Sequence, residues 1–111
     1  MPYDAVLADR IRELLLEEDE VTVQPMFGGL AFLVAGNMAV AADSRGGLMV
    51  RVAPQRGNEL AAAGTAEQME MHGRPMKGWL RLNADDVATE RELSRWVGYA
   101  LDFVHTLPAK Q

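Results

Sequence analysis

The sequence predicts an α+β fold with two layers, in which helices cover one face of a mostly antiparallel sheet. Both ends of the chain carry apolar residues at helical spacing, whereas the middle carries short alternating or apolar runs separated by glycine turns. Short links between consecutive strands favour antiparallel pairing, and helices packed on one face of such a sheet form one core. We expect the order α-β(4)-α-β(2)-α within a single domain over residues 1–111.

Three segments are expected to be helical. Residues 3–18 and 89–106 place leucine, isoleucine, valine and tryptophan at steps of three and four, which gives each segment one apolar stripe. Residues 54–63 form a shorter helix that begins at a proline. This helix is expected to be weak, because Gly57 costs roughly 1 kcal/mol relative to alanine in a helix interior.

Six strands are expected between and after these helices. The segment from Val21 to Pro25 reads as an edge strand, because proline donates no hydrogen bond to a sheet. The pair Gly36-Asn37 is expected to form a two-residue type II′ hairpin turn. Residues 72–77 are expected to connect the last two strands, and residues 83–89 to form a polar loop. The other predicted strands are residues 30–35, 38–43, 48–52, 68–71 and 78–82.

Composition excludes several classes of protein. The chain has 111 residues, 49% of them hydrophobic, and no cysteine. Disulfides, thiolate metal sites and thiol catalysis are therefore excluded, and a reducing cytoplasm is the expected location. The first residues lack the basic start and apolar run of a signal peptide. No apolar stretch approaches the roughly 20 residues that a membrane span needs, so no membrane association is expected.

Charge is unevenly distributed along the chain. The formal net charge is −5, yet residues 45–81 contain six basic and only three acidic residues. One interpretation is a set of separate solvated arginines. The other is a surface for an anionic partner such as a nucleic acid, which requires the central basic residues to share one face. Those residues are Arg51, Arg74, Lys77 and Arg81.

Four stretches resemble the N-terminal domain of the TfoX/Sxy competence regulators. They are MFGGLAF at 26–32, GNM at 36–38, LMVRV at 48–52 and GRPMKGW at 73–79, and the tail at 96–108 is similar as well. The resemblance implies a two-layer α+β fold related to the secretion chaperones, with no established catalytic residues. Longer members of that family add a C-terminal domain and regulate competence for DNA uptake.

Two neighbouring segments are candidates for an interaction surface. Met49 alternates with buried-type residues on its strand, so it shares a strand face with Arg51. In the segment around residues 73–81, cations lie close to Trp79, an arrangement that can hold an anion or a base. Alternatively, Trp79 anchors the core and the methionines fill it. The candidate residues are Met49, Arg51, Arg74, Lys77, Trp79 and Arg81.

The leading functional hypothesis is a non-catalytic regulatory or protein-interaction module that binds a protein partner or forms a homodimer. A nucleic-acid-binding domain that uses the central basic residues is the alternative. No Walker motif, dinucleotide-binding glycine loop or nucleophile elbow is present, so we expect neither an enzyme nor a cofactor. His72 and His105 lie in separate elements, which argues against a metal site.

Overall fold

The computed structural model describes residues 3–26, 28–64 and 66–109, so Phe27 of the first family-like stretch lies outside the described residues. The helices are α1 (Ala5–Leu14), α2 (Pro54–Ala62) and α3 (Glu90–Val104). The strands are β1 (Val21–Met26), β2 (Gly29–Val34), β3 (Asn37–Ala42), β4 (Leu48–Arg51), β5 (Glu67–Met71) and β6 (Arg74–Leu82). They form one antiparallel sheet in the order β1-β2-β3-β4-β6-β5. The predicted α+β class and order of elements are confirmed.

The core lies between the helices and one face of the sheet. Helices α1 and α3 bury Ile11 and Trp96 against the sheet residues Phe32, Val50 and Leu80. Both helices begin at a capping side chain, Asp4 for α1 and Thr89 for α3, which accepts hydrogen bonds from otherwise unpaired N–H groups. The flanking apolar stripes therefore pack as their spacing predicts.

The β2–β3 hairpin turn lies one residue earlier than predicted. The turn residues are Ala35 and Gly36, with φ of 51° and 82°, and Val34 pairs directly with Asn37. Two consecutive positive φ angles define a type I′ turn, not the predicted type II′. Asn37 instead begins β3, where its buried side-chain amide donates to the carbonyl oxygen of Pro108 at 2.9 Å.

The predicted connection over residues 72–77 is wrong in length. A two-residue turn at His72-Gly73, again with positive φ at both positions, joins β5 to β6. Strand β6 therefore begins at Arg74 and includes Pro75. Proline is tolerated there because residues 79–82 alone pair with β4, so the missing N–H of Pro75 interrupts no ladder with that strand.

Gly57 is required by packing rather than being a defect of α2. Glycine 78 has a φ of 86° and interrupts the regular path of β6. Gly57 is buried against it, and a Cβ at position 57 would lie 3.1 Å from the Gly78 Cα. The Gly78 carbonyl also accepts from the Val52 N–H at 2.7 Å. Helix α2 can approach the sheet this closely because neither residue carries a side chain.

The predicted polar loop over residues 83–89 contains a short 3-10 helix, Ala84–Val87. The Asn83 side chain accepts from the backbone N–H of Asp86, and the Asp86 carboxylate accepts from the backbone N–H of Asn83. The two hydrogen bonds form a capping box. Val87 is buried in the core. The loop is therefore tied to the domain on both sides.

Candidate functional site

The sheet face that the helices do not cover has an apolar floor. Ala31 and Leu33 of β2 and Ala41 of β3 are buried there, and three methionines pack against them, namely Met26, Met38 and Met49. Alternate residues of a strand point to opposite faces, and the intervening residues of β2 and β3 belong to the helix-side core. The same two strands thus supply both the core and the floor of the open face.

A groove of about 240 Å³ runs over this floor. Its wall reaches from Met26 on the edge strand β1 to Met71 on the opposite edge strand β5, so it spans the width of the sheet. All six methionines of the described residues line it, and we call it the methionine groove. Its lining residues are Met26, Met38, Ala41, Ala42, Asp43, Ser44, Arg45, Met49, Met69, Glu70, Met71, Met76 and Arg81.

The β5–β6 hairpin forms one wall of the methionine groove. Between the pairs Gln68–Leu80 and Glu70–Pro75, β6 contains four residues opposite Met69 alone. This bulge leaves carbonyl groups that the regular ladder does not use. The Gln68 amide nitrogen lies 2.6 Å from the Met76 carbonyl oxygen, 3.1 Å from that of Met69 and 3.3 Å from that of Trp79. The Gln68 side chain therefore stabilises the bulged part of β6 by contacting its carbonyl groups.

An ion pair between Asp43 and Arg81 forms part of the lining of the methionine groove. Their side chains are only 11% and 10% exposed, and the Arg81 Nε lies 2.5 Å from the Asp43 carboxylate. The other Asp43 oxygen accepts from the backbone N–H groups of Gly47 at 2.8 Å and Arg45 at 2.9 Å. Asp43 thus links the β3–β4 turn to β6, and Arg81 also donates to the Asn83 side chain at 2.8 Å.

The carboxyl group of Asp43 is held ionised. Burial acts to raise its pKa, but hydrogen bonds from Arg81, Gly47 and Arg45 and the charge of Arg81 outweigh burial and lower the pKa below 3.8. A carboxylate with a lowered pKa is a poor general base at neutral pH. In this groove, Asp43 and Arg81 are lining residues that neutralise each other.

The six candidate residues do not form one surface. Met49 and Arg81 line the methionine groove. Arg51 instead lies against aromatic rings, with its guanidinium carbon 5.4 Å from the ring centres of both Trp79 and Phe103. Trp79 is half-buried beside it rather than anchoring the core. Met49 and Arg51 therefore have different surroundings, although they share a strand.

Arg74 and Lys77 are exposed on the β5–β6 hairpin. Arg74 pairs across the strands with Met71, a groove residue, and directly opposed residues share a sheet face. Among the described residues, no salt bridge to an acid forms at Arg74. The basic residues of the middle segment are thus divided among an ion pair, an aromatic stack and an exposed hairpin.

A second cavity of about 280 Å³ lies between α2 and α3. Its wall includes Asp102 and Arg56, and the guanidinium carbon of Arg56 lies 4.3 Å from the Tyr99 ring centre.

The His105 side chain at the end of α3 lies 2.7 Å from the Glu18 carboxylate. In the described part of the chain, no group of three or more histidine, cysteine, aspartate or glutamate residues is placed to hold a metal ion.

Sequence reasoning found Met49 but not the methionine groove. The other five methionines lie on four different strands, so their common face depends on strand order and register. Asp43 and Arg81 are 38 positions apart, and neither has a local motif. The available signal was the unusual count of seven methionines in 111 residues.

Together, the fold and the groove define a small two-layer α+β domain with one apolar sheet face that its helices do not cover. The chain belongs to the TfoX N-terminal domain family, whose model matches residues 13–104. No curated protein and no solved structure matches the chain. No helix among residues 3–26, 28–64 and 66–109 is long and apolar enough to cross a membrane.

Proposed function

We propose that this chain is a non-catalytic protein-binding module, and that its methionine groove holds the apolar face of a helix from a partner protein. The observation that carries the proposal is the gathering of six methionines over a buried apolar floor on the uncovered sheet face. A reducing cytoplasm is part of the proposal, since the domain uses no disulfide.

The chemistry of the groove suits an apolar segment of a protein. Methionine is unbranched and polarisable, so it adapts to side chains of different shape, and it is common where a protein binds helices. The floor residues Ala31 and Ala41 are small, which leaves room for inserted leucine or phenylalanine side chains. Met71 is 46% exposed, so burying it against a partner removes apolar surface from water.

The titratable groups of the groove support a binding role rather than catalysis. Asp43 is an ionised carboxylate engaged by Arg81 and two backbone N–H groups. A general base works best with a pKa near the operating pH, and the lowered pKa of Asp43 moves it away from that range. The groove volume of about 240 Å³ also lies below the roughly 300 to 1,000 Å³ of typical small-molecule sites.

The divided basic residues make nucleic-acid binding a weaker candidate, since Arg81 is neutralised by Asp43 and Arg51 is stacked on aromatic rings. A homodimer through the same face is an outcome that the experiment below distinguishes. We favour the helix because the methionine groove is concave. A concave surface complements a convex helix, about 10 Å across, better than it complements a second concave groove.

The test uses the 111-residue chain labelled with ¹³C at the methionine methyl groups. A synthetic amphipathic helix of about 14 residues with leucine on one face is titrated in and followed by NMR, and sedimentation equilibrium measures self-association separately. We expect saturable binding that shifts the methyl signals of Met49, Met69 and Met71. Broadening without peptide that increases with protein concentration would indicate a homodimer and contradict the proposal.

Charge placed in the groove supplies the matched comparison. Met49→Lys is expected to weaken peptide binding by more than about tenfold, because the ammonium group is costly to bury without a partner. The control is Leu16→Lys, which adds the same charge at a leucine that is 77% exposed outside the groove. Equal affinities of the two variants and the unmodified chain would contradict the proposal.

A further inference from the structure

We propose that the β5–β6 wall of the methionine groove is a site for a soft monovalent metal ion, Cu(I) or Ag(I), held by the thioether sulfurs of Met69, Met71 and Met76. The inference concerns a ligand chemistry separate from helix binding. It rests on the arrangement of these three side chains and not on the proposed function.

The hairpin brings the three side chains together. Met69 and Met71 alternate on β5, so they point to the same face about 6.8 Å apart at the backbone. Met76 belongs to the bulged part of β6 that lies opposite Met69. The Gln68 amide nitrogen contacts the carbonyl oxygens of both Met69 and Met76, at 3.1 and 2.6 Å, which ties their backbones to a common point.

All three thioethers open into one cavity, because the three residues line the same groove. Met69 and Met71 lie on β5, and Met76 lies on the neighbouring strand in the bulge opposite Met69. A methionine side chain has three rotatable bonds, so the three sulfurs can turn toward a common point in the groove. Three sulfurs around one ion is a coordination that Cu(I) accepts.

The donor chemistry selects the metal. Thioethers are soft ligands that favour Cu(I), whereas imidazole and carboxylate ligands favour harder ions. The chain has no cysteine, so no thiolate competes for the ion. The described residues also provide no cluster of three histidine or acidic side chains. The thioethers of Met69, Met71 and Met76 are therefore the soft ligands that the β5–β6 wall offers.

The charges around the site are mixed. The groove lining contains the acids Asp43 and Glu70 and the bases Arg45 and Arg81, and Asp43 and Arg81 pair with each other. Because thioether ligands are neutral, they suit an ion of low charge, and a monovalent ion adds a single positive charge to the groove.

The experiment titrates Ag(I), and Cu(I) under anaerobic conditions, into the full chain at pH 7.5. Calorimetry measures affinity and stoichiometry, and ¹³C-methyl NMR identifies the ligands. We expect one equivalent to bind and to shift the methyl signals of Met69, Met71 and Met76 most. Because thioethers carry no proton at either pH, the affinity is expected to be unchanged at pH 5, unlike that of histidine sites.

Leucine substitutions separate metal binding from apolar contact, because leucine keeps the volume and removes the sulfur. The triple variant Met69→Leu, Met71→Leu and Met76→Leu is expected to lose at least about tenfold in metal affinity. Losing a group that merely supports a metal ligand already costs about that much, and this variant loses the ligands themselves. The variant Met26→Leu with Met38→Leu serves as control and is expected to keep its affinity. Single Met71→Leu, at a largely exposed position, provides the measurement if the triple variant does not fold.

Three results would overturn the proposal: no binding of either ion, unchanged affinity in the triple variant, or equal losses in the triple and control variants. The two proposals fail independently, because the triple leucine variant still presents an apolar groove to the peptide. Loss of metal binding with retained peptide binding supports both. Peptide binding without any metal binding contradicts the metal site alone.

Discussion

Replacing Asp43 by alanine should destabilise the domain more than any other single change at the groove. The substitution removes the partner of Arg81, whose side chain is 10% exposed, and breaking such a buried pair costs about 3 to 5 kcal/mol. It also removes the acceptor of two backbone N–H groups in the β3–β4 turn. Because both side chains retain slight contact with water, we expect a loss of about 4 kcal/mol in the free energy of unfolding.

A loss of this size is a large part of the roughly 5 to 15 kcal/mol that stabilises a typical domain, so the midpoint of thermal unfolding should fall by about 15 °C. Urea unfolding followed by tryptophan fluorescence measures the change. In a double-mutant cycle, Arg81→Met and the double variant should show a coupling of about 2 kcal/mol. A loss below about 1 kcal/mol, or strictly additive single effects, would refute the reasoning.

The same carboxylate makes stability depend on pH with a defined sign. Its pKa is lower in the folded state, so the unfolded chain binds more protons in the acid range and stability rises with pH there. The contribution is complete above the ordinary pKa of 3.8 and is lost as the pH falls through the lowered value. Asp43→Asn should therefore show a smaller acid loss than the unmodified chain.

Three further changes test the backbone and the groove wall by urea unfolding. Gly57→Ala should lose about 1 kcal/mol despite its better helix propensity, because its Cβ meets Gly78, whereas Gly98→Ala in open space should gain about 0.8 kcal/mol; a gain at both positions would contradict the packing argument. Ala35→Asn should gain about 0.5 to 1 kcal/mol, since asparagine tolerates positive φ; a loss would count against the type I′ turn. Gln68→Glu should lower the free energy of unfolding by about 2 kcal/mol, because a carboxylate cannot donate to the carbonyl groups of Met69, Met76 and Trp79. Unchanged amide hydrogen exchange along β6 in this variant would contradict that role of Gln68.

The sequence predicts the elements of this fold well because most of them follow local periodicity. The stripe that includes Trp96 predicts which side of α3 is buried, and the alternation of Leu48 and Val50 predicts the core face of β4. The errors fall where backbone conformation depends on more than local pattern. Ala35 and His72 both adopt positive φ, which is uncommon for residues other than glycine. The predicted β2–β3 turn is therefore displaced by one residue, and the predicted β5–β6 connection is too long.

The site was less predictable than the fold, because it depends on contacts between distant strands. Met49 was identified from strand parity alone. Its neighbours in the groove required the order in which β6 lies between β4 and β5, and no local motif encodes that order. Helix propensity alone predicts that Gly57 weakens its helix, whereas its contact with Gly78 requires a residue without a side chain. Local propensity describes the cost of such a residue but not its packing role.

The two edge strands of the sheet, β1 and β5, carry residues that hinder pairing with a strand from another copy of the chain. Pro25 on β1 offers no N–H to an incoming strand, and Glu67 and Glu70 place negative charges along β5. Both features discourage edge-to-edge growth of the sheet into fibrils. Crowded copies of the chain are therefore expected to remain discrete rather than polymerise, and the selectivity of any association is left to side chains on the face instead of main-chain hydrogen bonding at its margins.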